Sequence, residues 1–334
     1  MVTIFGAGEV FRSKIRACLT ELGVSNFNIY SPKLTPAPKI TDFQLHGPVL
    51  ILSPNAFHLP QIEHVLKKGH PCYVEKPMVI SVAELEQLRE LAANSCAPLY
   101  CGDYYYFKAL PLLLRYGRLE QYREYAAQSG EYAHAASPIV SVEAALLEGG
   151  GEASGSIEHR AWLGDAKAGG GMLLDLMLHL TNILNMLGLN LETVSMATLG
   201  RFDRKTRQFR RLAASSEAED YAEIRGALTG GIPVAMKAGK YSPRHERFVR
   251  LRHADGCVTT LHFTKDNIAE TVDKNGKRLW QSKLLADPYL LTMRDAFAFF
   301  RDHANMKEKP CACFFEEQAL SIRQIDMIKN RALG

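Results

Sequence analysis

The sequence predicts an α/β protein of two domains, a doubly wound parallel sheet followed by a strand-rich second domain. Three observations carry this expectation. Apolar strands alternate with periodic helices over about the first 80 residues, a Gly6-Ala7-Gly8 turn joins the first strand to the first helix, and after Leu189 the pattern becomes a series of short strands with glycine turns. At 334 residues the chain exceeds what one hydrophobic core commonly supports, so two domains are the default.

Residues 2–5 form a short apolar strand, and residues 9–19 have helical periodicity. Strand, glycine turn and helix together are the context of a dinucleotide site. There the first glycine makes the tight turn and the second lets a pyrophosphate approach the backbone at the helix N-terminus. Phe11 occupies the place of the third glycine, which implies looser packing of this helix on its strand. A GxG turn alone equally describes an ordinary strand-to-helix connection. Residues 28–30 read as the second strand. Where a carboxylate would bind a ribose 2′-hydroxyl, the chain has Ser31-Pro32-Lys33, a hydroxyl and an ammonium that suit a 2′-phosphate and equally a solvated turn.

Further strands are expected at residues 48–53, 71–75 and 98–101, with helices at 59–68 and 77–95, the latter opened by Ser81 and Glu84 as a capping box. Asp103-Tyr104-Tyr105-Tyr106-Phe107-Lys108 has the aromatic lining and flanking charges of a pocket wall, and equally of a half-buried strand with its hydroxyls in water. Residues 110–125 read as a helix, residues 128–132 and 139–146 as strands, and residues 149–155 as a flexible loop. The strands after Leu189, at 192–199, 221–228, 234–238, 248–253 and 257–263, read as a meander. Leu290, Met293, Phe297 and Phe300 form a helical core stripe, and a last helix spans residues 316–331.

Residues 169–182, Gly-Gly-Gly-Met-Leu-Leu-Asp-Leu-Met-Leu-His-Leu-Thr-Asn, place Asp175 and His179 four apart on a helix apolar almost all round. Burying a carboxylate and an imidazole is costly unless they are paired or face a wet cavity, so the two form either a satisfied core pair or part of a site.

The formal charge of +4 is small for this length and leaves no electrostatic footprint for nucleic acid. The basic run from Arg201 to Arg211 reads as a solvated hairpin balanced by Glu217, Glu219, Asp220 and Glu223. The seven cysteines lack paired CxxC spacing, so no metal site is expected and they read as reduced thiols of a cytoplasmic protein. There is no signal-peptide pattern and no apolar run of membrane-spanning length.

Four motifs in order, Gly6-x-Gly8, Ser53-Pro54-Asn55-x-x-His58, Glu75-Lys76-Pro77 and the Gly169 to His179 run, resemble the glucose–fructose oxidoreductase / inositol dehydrogenase / rhizopine catabolism (Gfo/Idh/MocA) family. The resemblance implies an N-terminal Rossmann domain over residues 1–104. It implies a C-terminal α+β domain over 105–334, built on a large, mostly antiparallel open sheet that serves substrate binding and dimerisation. Cofactor contacts are expected at Gly6, Gly8, Glu9, Val10, Phe11, Ser53, Pro54, Asn55, His58, Glu75, Lys76 and Pro77, joined by Ser31 and Lys33, which favour NADP(H) over NAD(H). Lys76, Asp175 and His179 would be catalytic; Asp103, Tyr105, Lys108 and Trp162, with Asp175 and His179, would bind substrate. The implied activity is hydride transfer between nicotinamide and a carbinol or carbonyl carbon of a sugar, nucleotide sugar or cyclitol. An imine- or tetrapyrrole-type reductase and a non-enzymatic NADP(H)-binding regulator are the alternatives. A homodimer or homotetramer through the C-terminal sheet is implied, with no membrane or nucleic-acid partner. Met177 and Asn182 depart from the glycine and aspartate common in the family, and Met177 would narrow the pocket.

Overall fold

The computed structural model describes residues 1–31, 39–130, 137–149, 161–203, 206, 208–212, 217–303 and 312–334. Lys33, Cys311, residues 150–155 of the expected loop and the end of the expected 128–132 strand lie outside them. The chain divides into two compact units, Met1–Tyr104 with Asp287–Ile322, and Tyr105–Ala286 with Arg323–Gly334.

In the first unit β1 (Val2–Phe5), β2 (Phe27–Tyr30), β3 (Val49–Ile51), β4 (Cys72–Glu75) and β5 (Leu99–Gly102) form a sheet of order β2-β1-β3-β4-β5. Every pairing is parallel. Strands covered on both faces read as near-continuous apolar runs, which is why Val2–Phe5 and Val49–Ile51 are buried at every position, the polar Thr3 included because its hydroxyl donates to the His46 carbonyl at 3.1 Å. The order reverses between β1 and β3, the switch point where sheets of this kind bind ligands beyond their strand ends.

Phe11 does not loosen the first helix. It is buried, meets Phe27 edge-on at 5.6 Å, and opens a π-helical turn, Phe11–Ile15, that leads into α1 (Arg16–Glu21). The wider turn accommodates a ring where the glycine fingerprint has a hydrogen. Helix α2 (His58–Lys67) follows β3, and α3 (Val82–Asn94) follows β4. Ser81 caps α3, with its Oγ accepting from Glu84 N–H, and the Glu84 carboxylate reaches one residue beyond the usual box to accept from Ile80 N–H. Met293 and Phe300 of the expected stripe enter the same core as Ile4 and Leu50, while Leu290 and Phe297 pack partly buried against it.

The second unit begins within α4 (Tyr104–Lys108). The expected 110–125 helix is broken: α5 (Leu110–Arg115) stops, Gly117 and Leu119 take positive φ of 69° and 54°, and a 3-10 segment covers Glu120–Tyr125. The strands are β6 (Ala126–Ser129), β7 (Ile139–Gly149), β8 (Leu191–Phe202), β9 (Phe209–Arg211), β10 (Tyr221–Leu228), β11 (Ile232–Ser242), β12 (Glu246–His253), β13 (Val258–His262), β14 (Ile268–Val272) and β15 (Arg278–Leu284). They form one ten-stranded sheet of order β6-β15-β14-β13-β12-β7-β11-β10-β8-β9 among the described residues.

The series after Leu189 is therefore not one meander. Strand β7, from much earlier in the chain, inserts between β11 and β12, parallel to the first and antiparallel to the second. Of the basic run, Arg201 lies on β8 and Arg210 and Arg211 on the paired β9, with Arg210 on Glu217 at the surface, while Arg204, Lys205 and Arg207 lie outside the described residues; Glu219 and Asp220 are buried and are not surface counter-charges. Helix α6 (Leu178–Met186) extends a π-turn, Leu173–Met177, and α7 (Pro288–His303) and α8 (Phe315–Leu333) complete the helices used below. No helix among the described residues is long and apolar enough to cross a membrane.

Candidate functional site

In the first unit Gly6 to Phe11, Ser53 to His58 and Glu75 to Pro77 follow the carboxyl ends of β1, β3 and β4, while Ser31 follows β2 and Lys33 lies outside the described residues. Gly6 has φ of 92°, and a Cβ there would lie 2.6 Å from the Ser53 amide nitrogen, so only glycine lets the β1 turn approach the end of β3. Gly8 has the opposite environment, with nothing within 4 Å of where its Cβ would be. A crowded first glycine and an open second one fit a turn that brings a pyrophosphate against backbone N–H groups. Glu9 is exposed in an ion pair of 3.7 Å with Arg12, and Val10 is half-buried ahead of the π-turn.

Ser53 donates to Gln61 Oε1 at 2.6 Å, and Asn55 is buried at the start of a 3-10 turn, Asn55–Phe57, that follows Pro54. His58 is 1% exposed, with Nδ1 2.7 Å from the Pro77 carbonyl and Nε2 2.9 Å from the Ser53 carbonyl. Burial lowers its pKa, yet a neutral imidazole can donate to only one of those oxygens. The ring thus ties the loop after β3 to the Glu75-Lys76-Pro77 turn, whose Lys76–Pro77 bond is cis.

Burial pushes the Glu75 carboxyl up to about 7, against the stabilising effect of the Tyr73 hydroxyl, which donates to it at 2.7 Å. Lys76 is half-buried beside it, and Asp103 is buried just past β5. Ser31 is half-buried and follows Tyr30, whose ring lies 5.2 Å from those of Phe5 and Phe43.

In the second unit the three glycines each have a steric reason. Gly169 takes φ of 74° to end a 3-10 turn; a Cβ on Gly170 would meet the Leu163 and Trp162 carbonyl oxygens at 2.5 and 2.6 Å; one on Gly171, whose φ is 104°, would meet the Glu219 carboxylate at 2.6 Å. Trp162 is half-buried in the turn Ala161–Gly164.

Asp175 lies in the π-turn, 7% exposed, and its Oδ2 accepts from Lys240 Nζ of β11 at 2.7 Å. The His179 ring stacks on Tyr105, with centroids 3.8 Å apart and planes inclined by 23°. Lys108 Nζ is 4.3 Å from the Tyr105 ring centroid, and Arg247 donates to the Tyr105 hydroxyl at 3.3 Å. Tyr105, Lys108 and His179 are thus brought together.

Sequence reasoning misses Lys240, Arg247, Tyr73 and Glu219. A lysine in the otherwise uncharged stretch Ala238-Gly239-Lys240-Tyr241 is the one local signal among them, since a lysine there needs a partner.

A family profile described as an oxidoreductase family with an NAD-binding Rossmann fold matches residues 2–102, and the GFO/IDH/MocA C-terminal domain matches residues 136–268. The chain belongs to the Gfo/Idh/MocA family. Its structure is similar to UDP-N-acetylglucosamine 3-dehydrogenase GnnA from Acidithiobacillus ferrooxidans, with 15% identity, a TM-score of 0.69, and coverage of 99% of this chain and 97% of that one. KijD10, a 3-ketoreductase from Actinomadura kijaniata in complex with NADP and TDP-benzene, matches with a TM-score of 0.73, 15% identity and the same coverage. The super-repressor mutant of Gal80p from Saccharomyces cerevisiae matches at 0.69 and 15%, covering 99% and 95%. No curated protein matches the chain significantly in sequence.

In this Gfo/Idh/MocA chain the two departures from the family pattern, Met177 and Asn182, are both fully buried.

Proposed function

We propose that this protein is an NAD(P)-dependent oxidoreductase that interconverts a secondary alcohol and a ketone on a sugar, nucleotide sugar or cyclitol. The observation that carries the reading is the helix of the second unit, which holds a buried, lysine-paired Asp175 and a tyrosine-stacked His179 in a chain whose first unit is an NAD-binding Rossmann fold. The fold likeness to a nucleotide-sugar dehydrogenase and a 3-ketoreductase favours the sugar class.

Gly6, Gly8 and the helix start after them, with Ser53, Asn55 and the Glu75-Lys76-Pro77 turn, would hold the dinucleotide, and Ser31 with Lys33 would favour the 2′-phosphate of NADP(H). Bound nicotinamide supplies the hydride acceptor or donor. The chain must then move the hydroxyl proton, so a general acid/base must reach the carbinol oxygen. Imidazole is the side chain whose charge changes nearest neutral pH, which suits a histidine at position 179 to that task. Lys76 would be the group that polarises a carbonyl oxygen, with an exchange of the donor role between it and His179 as the variant reading, and Asp175 would orient substrate or imidazole. Asp103, Tyr105, Lys108 and Trp162 line the substrate side. Residues 1–104 serve the cofactor and 105–334 the substrate and self-association, in a cytoplasmic homodimer or homotetramer.

A second reading, a non-enzymatic NADP(H)-binding regulator, is favoured by the likeness to Gal80p. A nicotinamide-absorbance assay over UDP- and TDP-sugars, free hexoses and cyclitols separates the two. Turnover of at least one compound supports the enzyme, while tight cofactor binding without turnover across the panel supports the regulator.

A further inference from the structure

We propose that Glu219-Asp220 is a positioning element of this site, a two-residue brace that sets the Asp175- and His179-bearing helix against Lys240. The inference rests on the functional reading above and adds residues that the family motifs do not contain.

The first turn of any helix leaves backbone N–H groups without intrahelical partners, and a local side chain commonly caps them. Here Met172 at the cap position offers no side-chain bond. The cap comes from 46 residues downstream, where Glu219 Oε1 accepts from Leu173 N–H at 2.8 Å. The Glu219 carbonyl accepts from Met172 N–H at 3.0 Å. A carboxylate is also the group that the positive end of a helix favours. Gly171 takes φ of 104°, which favours glycine, and a Cβ there would lie 2.6 Å from that carboxylate. The cap and the glycine before it are one device.

The next residue braces the other partner. Asp220 O accepts from Lys240 N–H at 2.8 Å, so adjacent residues hold both the turn that carries Asp175 and the backbone of the lysine paired with it. Asp220 is itself fixed to β8, where its N–H donates to Gly200 O at 3.1 Å and its Oδ1 accepts from Phe202 N–H at 2.8 Å. Glu219 and Asp220 are 7% and 8% exposed. A carboxylate is costly to bury for stability alone when an apolar residue could fill the space, and burial does raise the Glu219 pKa. What the cost secures is direction. Asp175 lies two residues past the capped Leu173, inside the same π-turn that leads directly into the helix carrying His179, so a shift of its start would move both Asp175 and His179.

The test reads the position of His179 without requiring a substrate. In protein labelled at histidine Cε1, the Hε1 resonance of His179, assigned by its loss in His179→Gln, carries the ring-current shift of Tyr105 stacked at 3.8 Å. Glu219→Ala and the shorter Glu219→Asp are expected to move that resonance toward the unstacked position while the His58 resonance stays in place. Glu219→Gln, which keeps an acceptor for Leu173 N–H, is expected to retain it. Glu219→Asp keeps the test readable if the alanine variant does not fold. An unmoved His179 in either folded variant overturns the proposal, as does a glutamine variant displaced as far as the alanine one. On a sugar that the wild type turns over, Glu219→Ala or Glu219→Asp should lower kcat by on the order of tenfold to a hundredfold with less change in KM, the cost of misplacing a catalytic group by a fraction of an ångström to an ångström. A displaced His179 with unchanged kcat would leave the brace standing and refute the catalytic reading instead.

Discussion

Lys240 donates to Asp175 at 2.7 Å across 65 residues of sequence, and both side chains are more than nine-tenths buried. A buried charge without its partner is far more costly than a buried pair, because desolvation is then uncompensated. Lys240→Met alone should therefore destabilise the fold by about 3–5 kcal/mol, and Asp175→Asn with Lys240→Met together should recover much of that loss. Urea unfolding of the two single variants and the double variant measures it. Additive losses would mean that the pair is not coupled.

Glu75 makes stability depend on pH. Its folded pKa of about 7 lies above the ordinary glutamate value of 4.5, so between them the folded state holds a proton that the unfolded state has released. Stability from this group is then present at low pH and is lost as pH rises through that window. The unfolding midpoint of the wild type, taken relative to Glu75→Gln, should fall between about pH 5 and about pH 7.5. A constant difference between the two proteins would show that burial of the carboxyl is not felt.

Lys76→Ala and His179→Ala should each lower kcat by about a hundredfold or more with little change in cofactor affinity, since a positioned proton-transfer group contributes roughly 10²–10⁴-fold. Steady-state kinetics on a sugar found in the panel, paired with cofactor titration, gives both quantities. Wild-type turnover in either variant would remove that residue from the chemistry.

NADPH should bind about ten- to a hundredfold more tightly than NADH, the equivalent of about 1.5–3 kcal/mol for a charged hydrogen bond to the 2′-phosphate. Nicotinamide fluorescence titration decides it. Equal affinities would take Ser31 and Lys33 out of the site, and a Lys33→Asp variant with unchanged NADPH binding would take out Lys33 alone.

The ten-stranded sheet should carry the self-association. Its half-buried positions include Phe248, Val258 and Ile268 among a charged ladder of Arg250 on Glu143 and Lys237 on Glu223, and a broad mixed face of that kind favours a second copy. A monomer by light scattering at micromolar concentration would count against it.

Local pattern was enough for much of this protein. The parallel sheet of the first unit, the glycine turn, the Ser81 cap and the strand Tyr221–Leu228 are all legible because burial on a fixed period, and the steric needs of a turn, act between near neighbours. Tertiary structure decided the partners. Periodicity marks Asp175 as buried without naming Lys240, and places Glu219 among surface acids when its carboxylate caps a helix 46 residues away. It reads β7 and β11 as separate strands although they pair in parallel, and it reads Phe11 as a poor glycine when a π-turn gives the ring a place in the core. Each of these outcomes depends on which distant segment occupies the neighbouring space, and a one-dimensional pattern of polarity does not contain that information.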